Sequence, residues 1–276
     1  MRAKKKRKLR CCISAVCILL ALMLCVPFSR SLLVMGVYSG IQKRGSLLDT
    51  EGIDLKIPGG LTTRETDWYP FVMPFSADEA YGGYIGEPKA RLTILYNFPA
   101  FSMKSGCSRL FDPDSQYYNG FYGAYLVRDS SNTALREGEI DEERLEKIVA
   151  YDYFHLVLED FGLKKAEERL SINIGNREKD VSYLGYTGWE RLTAEFTING
   201  AAHNRRAGVT SYLQYGAPRF GWIQEEFALV TMQGIVYGRY FSEQDVGIYL
   251  YVMAQKQEIC ETCDQQILSK SSLVLP

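Results

Sequence analysis

Cys260-Glu261-Thr262-Cys263 sets two thiols at the spacing of a redox pair or of half a zinc site, and Cys107 is the one further cysteine beyond the N-terminal segment that can join them. Either chemistry needs thiolate. Reactive pairs of this kind sit at a helix N-terminus, where the dipole stabilises the anion. These two fall late in an expected helix, on its apolar stripe, beside Glu261 and Asp264. Structural thiols, or a disulfide from Cys107 to one of the pair, are therefore the stronger readings.

A second constellation is Asp152, His155 and Glu159, spaced i, i+3, i+7. On a helix at about 100° per residue they share a sector of roughly 60°, so all three can meet one metal ion or one substrate proton. The competing reading is a solvated strip on a helix whose other faces carry Tyr151, Phe154, Val157, Leu158 and Phe161.

A third is the aromatic stretch from Phe111 to Tyr125. Tyrosine joins an apolar face to a polar tip, so Tyr117, Tyr118 and Tyr122 are candidate binding residues for a sugar or a protein partner, with strand packing as the competing use. Asp112 and Asp114 open like a calcium loop, but Tyr117 stands where an EF-hand requires Gly, and no Glu occupies the twelfth position. His203, the only other histidine, falls in a turn-rich loop, and no G-x-S-x-G setting exists for a nucleophile. No catalytic residue and no cofactor is expected.

The elements that must position these groups follow from local pattern. Ile53–Ile57 alternates with period two and stops at Pro58-Gly59-Gly60, a strand and a turn. Trp68–Met73, Leu92–Phe98 and Phe121–Val127 are further strand candidates. Acidic residues in its first turn and Gly162 at its end make Asp141–Phe161 a helix. Leu192–Ile198 alternates again, Asn199-Gly200 opens a turn, and Val209–Tyr215 is expected to return as its partner strand. Phe227–Thr231 and Ile235–Phe241, split by Met232-Gln233-Gly234, are expected as a hairpin. From Glu243 to Leu268, with Ser242 as N-cap and Asp245 in a loose capping box, Val246, Tyr249, Leu250, Met253, Cys260, Cys263 and Ile267 form one helical stripe. This order predicts an α+β domain whose antiparallel sheet packs against helices, including a long C-terminal one.

The strand ending in Ile57-Pro58-Gly59, the 141–161 helix and the closing hairpin plus helix from Phe227 to Leu268 resemble the PsbP-like α/β/α sandwich in element order, over most of residues 53 to 269. The stretch from Ala100 to Gly120 departs from it. Members of that fold serve as binding or assembly modules, so the resemblance implies a non-catalytic role.

Seven of the first ten residues are Lys or Arg, and Cys11 to Phe28 carries no charge. That pattern predicts a basic cytoplasmic tail (1–10), a transmembrane signal anchor (11–28) with everything beyond it extracytoplasmic, a stalk (29–52), a globular domain (53–270) and a short tail (271–276). Cleavage as a signal peptide and lipidation at Cys25 are the alternatives to the anchor. Beyond the tail, 25 basic residues face 33 acidic ones, a net of −8. Such a balance argues against nucleic acid and against close apposition to an anionic lipid surface. The Lys-rich leader suggests a bacterial cell envelope. The expectation is thus a membrane-anchored binding or assembly domain that meets an envelope protein or glycan through residues 100–122. Its alternative is a thiol- or metal-dependent enzyme using Cys260 and Cys263 or the 152/155/159 strip.

Overall fold

The computed structural model describes residues 2–102, 104, 106–129, 133–201, 209–216 and 227–276; His203 lies outside them. Helices are α1 (Arg2–Cys25), α2 (Pro27–Gln42), α3 (Leu47–Thr50), α4 (Gly60–Thr63), α5 (Asp78–Ile85), α6 (Thr133–Arg136), α7 (Glu142–Val149), α8 (Val209–Tyr215) and α9 (Gln257–Gln266). Strands are β1 (Asp54–Lys56), β2 (Met73–Ser76), β3 (Arg91–Asn97), β4 (Phe101–Ser102), β5 (Cys107–Ser108), β6 (Phe121–Arg128), β7 (Leu170–Tyr183), β8 (Tyr186–Asn199), β9 (Leu229–Phe241), β10 (Val246–Ala254) and β11 (Ser272–Val274). Seven of them form one antiparallel sheet in the order β2-β3-β6-β10-β9-β8-β7, while β1 pairs with β11 and β4 with β5. The expected α+β class, an antiparallel sheet packed against helices, is what the chain adopts.

Both faces of the sheet are covered. Along β10, Tyr249, Tyr251 and Met253 enter the core layer beneath α2, α7 and α8, while Ile248, Leu250, Val252 and Ala254 enter a second layer with α3, α9 and β11. A strand buried on both sides reads as a continuous apolar run, and such a run satisfies a helical stripe as readily as a strand. This is why the long terminal helix was expected. The helix is confined to Gln257–Gln266, and Val246–Ala254 is a central strand rich in β-branched and aromatic residues. Ser242 and Asp245, expected as a helix cap, make the tight turn between β9 and β10, where Asp245 takes a positive φ of 50°.

The expected break at Met232-Gln233-Gly234 is likewise unbroken strand. Gly234 lies against the Phe196 ring of β8, where an added Cβ would come within 3.2 Å of it, so the glycine serves packing rather than a turn. The hairpin that exists upstream is β7–β8, turning at Leu184 and Gly185, both at positive φ. Val209–Tyr215 forms a helix instead of pairing with β8, whose neighbours are β7 and β9. Of Trp68–Met73 only Met73 enters a strand. Residues 29–52, expected as a stalk, are mostly helical and belong to the domain: Met35 of α2 sits in the first core layer and Leu47 and Leu48 in the second.

Candidate functional site

The helix that carries the 152/155/159 strip is irregular. Asp141 caps it, its carboxylate accepting from the Arg144 amide at 3.2 Å, and Gly162 closes it at φ 101°. Between these ends α7 runs into a π-helical stretch, Ala150–Leu158, and then a single 3-10 turn, Glu159–Phe161. π-helical turns inside α-helices occur frequently at functional sites. The start of the helix is pinned to the sheet from beneath. Buried Arg144 donates to Asp129 at 2.7 Å and to Glu87 at 3.2 Å, and fully buried Glu190 of β8 accepts from the Ile140 amide and from Arg177. Charged groups so far from water persist only when paired, which makes this a stiff mounting for the π-helical turns.

Under those turns lies a cavity of about 230 Å³. Asp152 and His155 reach it from above, Tyr38 from α2, Phe75 from β2, Tyr96 from β3 and Tyr215 from α8. Asp160 and Gln214 add polar edges. Asp152 Oδ2 accepts from the Tyr125 hydroxyl at 2.7 Å, and the Tyr125 ring stacks on Tyr251 at 4.5 Å. Gln214 Nε2 donates to the Tyr96 hydroxyl, and Ser211 to Asp160. Burial pushes the Asp152 carboxyl up to about 6, against the opposing pull of the Tyr125 hydrogen bond. Narrow voids continue inward past Phe121 and Val157 and then between Leu145, Ile172 and Phe196, adding about 10 and 50 Å³. The Tyr153 hydroxyl beside the first of them is buried with no hydrogen-bond partner among the described residues.

Chemically the mouth is acidic and aromatic, and the deep end is apolar. Among the described residues no Lys or Arg lines it, and the imidazole of His155 is held by Glu159 at 2.7 Å (Nδ1 to Oε2). Carboxylates framed by aromatic faces suit a cationic or hydrogen-bond-donating group, and the voids behind suit a small apolar extension.

The strip predicted from sequence is therefore brought together only in part. Asp152 and His155 meet at the cavity, whereas Glu159 holds His155 from outside it. The metal reading is corrected: among the described residues no group of three His, Cys, Asp or Glu is placed to hold a metal ion. The three tyrosines read as an exposed binding surface are core residues. Tyr117 and Tyr122 pack edge-on against Trp68 at 5.2 and 4.9 Å, and their hydroxyls donate to Asp67 and to the Pro58 carbonyl. Tyr118 donates to the Ala201 carbonyl at 3.3 Å. Asp112 accepts from the Asp114 amide in an Asx-type turn.

Cys260 and Cys263 are buried thiols between α9 and the sheet, and Cys260 Sγ donates to the Gln233 carbonyl at 3.2 Å. Burial pushes Cys260 up to about 12, with Glu261 and Asp264 adding to the shift, and burial likewise raises Cys263 well above the ordinary thiol value. Thiolate is disfavoured, as the acidic neighbours suggested. The proposed disulfide is corrected too, since Cys107 sits in the core layer on the opposite face of the sheet.

Sequence reasoning missed Tyr38, Tyr96, Asp160, Gln214 and Tyr215. Tyr96 and Tyr125 lie in recognised strands, but alternation assigns a face and not a neighbour across it. Gln214 and Tyr215 lie in a segment expected as a strand. No protein-family model, curated protein or solved structure matches this chain.

Proposed function

We propose that the protein is a membrane-anchored extracytoplasmic binding domain, without catalysis of its own, that takes a small amphipathic ligand into the Asp152 cavity. The observation that carries the reading is a part-buried carboxylate held by Tyr125 at the mouth of a 230 Å³ cavity under a π-helical turn. The acidic, aromatic mouth favours a cationic or hydrogen-bond-donating head, and an envelope protein or glycan presenting such a group falls within that chemistry. The element-order resemblance to the PsbP-like sandwich points the same way.

The anchor is α1. Among the described residues no single helix is long and apolar enough to cross a membrane; α1 from Arg10 and α2 pass together by length and composition, but they meet at 106°. The uncharged turns of α1, Cys11–Cys25, reach about 22 Å at 1.5 Å per residue. The remaining depth of a roughly 30 Å core is met by snorkelling of Arg10 and local thinning of the bilayer. Ile18, Leu19 and Leu22 of α1 are each about 60% exposed, a cost in water that lipid removes.

The test is extraction of the full chain from membranes, followed by native mass spectrometry. A bound small molecule is expected in the wild type and lost in Leu156→Trp, which fills the cavity mouth. The same mass in both proteins at equal stability, or in neither, contradicts the reading.

A further inference from the structure

Helix α2 is apolar on both sides: Phe28, Leu32 and Tyr38 pack against the domain core, yet a second apolar edge faces out. Its edge against the domain is Ser31, Met35 and Ser39, all buried, and the Ser31 hydroxyl is hydrogen-bonded to the Tyr69 hydroxyl at 2.8 Å. Its opposite edge is Leu33, Val37 and Ile41, exposed at 39, 59 and 60%. Both triplets have i, i+4, i+8 spacing, and at about 100° per residue the two edges lie roughly 160° apart. A surface helix in water turns its apolar stripe inward. Here the inward side is already filled by Phe28, Leu32, Met35 and Tyr38, and Leu33, Val37 and Ile41 form an additional apolar edge left outside the domain.

Two neighbouring features say what that edge meets. At Val26–Pro27 the chain turns through 106° into α1, whose apolar side chains are exposed on every side. A helix along the bilayer normal and one nearly perpendicular to it is the arrangement of a span followed by an interfacial helix. Charge is consistent with this. From Met1 to Leu48 the sequence contains no Asp or Glu, whereas exposed Lys43 and Arg44 follow the last turn of α2. Arg30, over the half-exposed Tyr212 ring at 4.8 Å, adds a cation and an interfacial aromatic at the other end.

We propose that α2 lies in the plane of the membrane interface, with Leu33, Val37 and Ile41 in the lipid and Ser31, Met35 and Ser39 against the domain. The proposal rests on α1 being the anchor. It fixes the domain flat on the bilayer, where a stalk would let it swing. Tyr38, adjacent to the lipid-facing edge, lines the Asp152 cavity, so the helix that touches the bilayer also walls the binding site.

The experiment is site-directed spin labelling of the full chain in vesicles of phosphatidylcholine and phosphatidylglycerol. Labels are placed at native Cys17, with Cys11, Cys12 and Cys25 replaced by Ser, and singly at Val37→Cys, Ile41→Cys and Glu258→Cys with Cys17 also replaced. Collisional access to oxygen is compared with access to a water-soluble nickel chelate. The expected result is an oxygen-to-nickel ratio highest at position 17, several-fold above the aqueous reference 258 at both 37 and 41. A lipid value at 17 with 37 and 41 equal to 258 overturns the proposal and leaves the anchor standing. An aqueous value at 17 overturns the anchor and the proposal together. Low access to both reagents at 37 and 41 also overturns it, because protein, a second copy included, then covers the edge.

Discussion

The two faces of the central sheet use the same aromatic and aliphatic residues to different ends. On the α9 face, Trp189, Tyr122, Ile248 and Leu250 close around two thiols, and the voids near Cys263 amount to about 30 Å³. On the π-helix face, packing of equal apolarity surrounds a carboxylate, several tyrosine hydroxyls and a cavity of about 230 Å³. Burying an ionisable group beside empty volume costs stability that a well-packed apolar side chain would not. One face is therefore packed for stability, and the other keeps an ionisable group and empty volume at stability's expense.

The largest expected effect lies on the packed face. Trp189→Ala should lower unfolding stability by about 3–5 kcal/mol in urea titration, and Tyr122→Ala should act in the same range. A loss under 1 kcal/mol would erase the distinction between the faces. On the cavity face the sign reverses. Asp152 binds its proton more tightly in the folded chain, at about 6, than at its ordinary 3.8, so the native state holds the extra proton between those values. Stability then falls as pH rises through that window and stays reduced above it. Asp152→Asn should therefore stabilise the protein at pH 7 by roughly 1–3 kcal/mol and flatten the pH dependence between 4 and 6.

Tyr125→Phe is expected to be smaller, a loss of about 1 kcal/mol with one hydrogen bond. It should also raise the Asp152 midpoint further, because that bond favours the carboxylate. The smallest effect sharpens the contrast from the thiol side: Cys260 and Cys263 should react with a maleimide only at the rate of unfolding. Fast labelling of Cys260 or Cys263 in the native protein, with the exposed Cys11, Cys12, Cys17 and Cys25 replaced by Ser, would reopen the thiol chemistry.

Much of the fold was legible in the sequence where pattern and burial agree. β1 appears where alternation puts it, β3 and β6 where further strands were expected, and the helical turns from Asp141 to Gly162 where the acidic first turn and terminal glycine put them. β10 was illegible because its continuous apolar run, joined to Cys260, Cys263 and Ile267, fits a helical stripe as readily as a strand. The α2 edge was hidden by its proximity to the leader, whose apolarity merges with its own. For the site, Asp152 and His155 could be read from spacing on one helix. The remaining wall comes from α2, β2, β3 and α8, and only long-range pairing places those segments beside the π-helical turns.

The most direct test of a functional cavity face is the protonation of Asp152 itself. Infrared difference spectra of the full chain, wild type against Asp152→Asn, isolate its carboxylic C=O band as pH is lowered. A single band absent from the variant and appearing with a midpoint near 6 is predicted. A midpoint near 4 would mean that the carboxylate is solvated like any surface group, and the part-buried, cavity-facing carboxylate at the centre of this account would not exist.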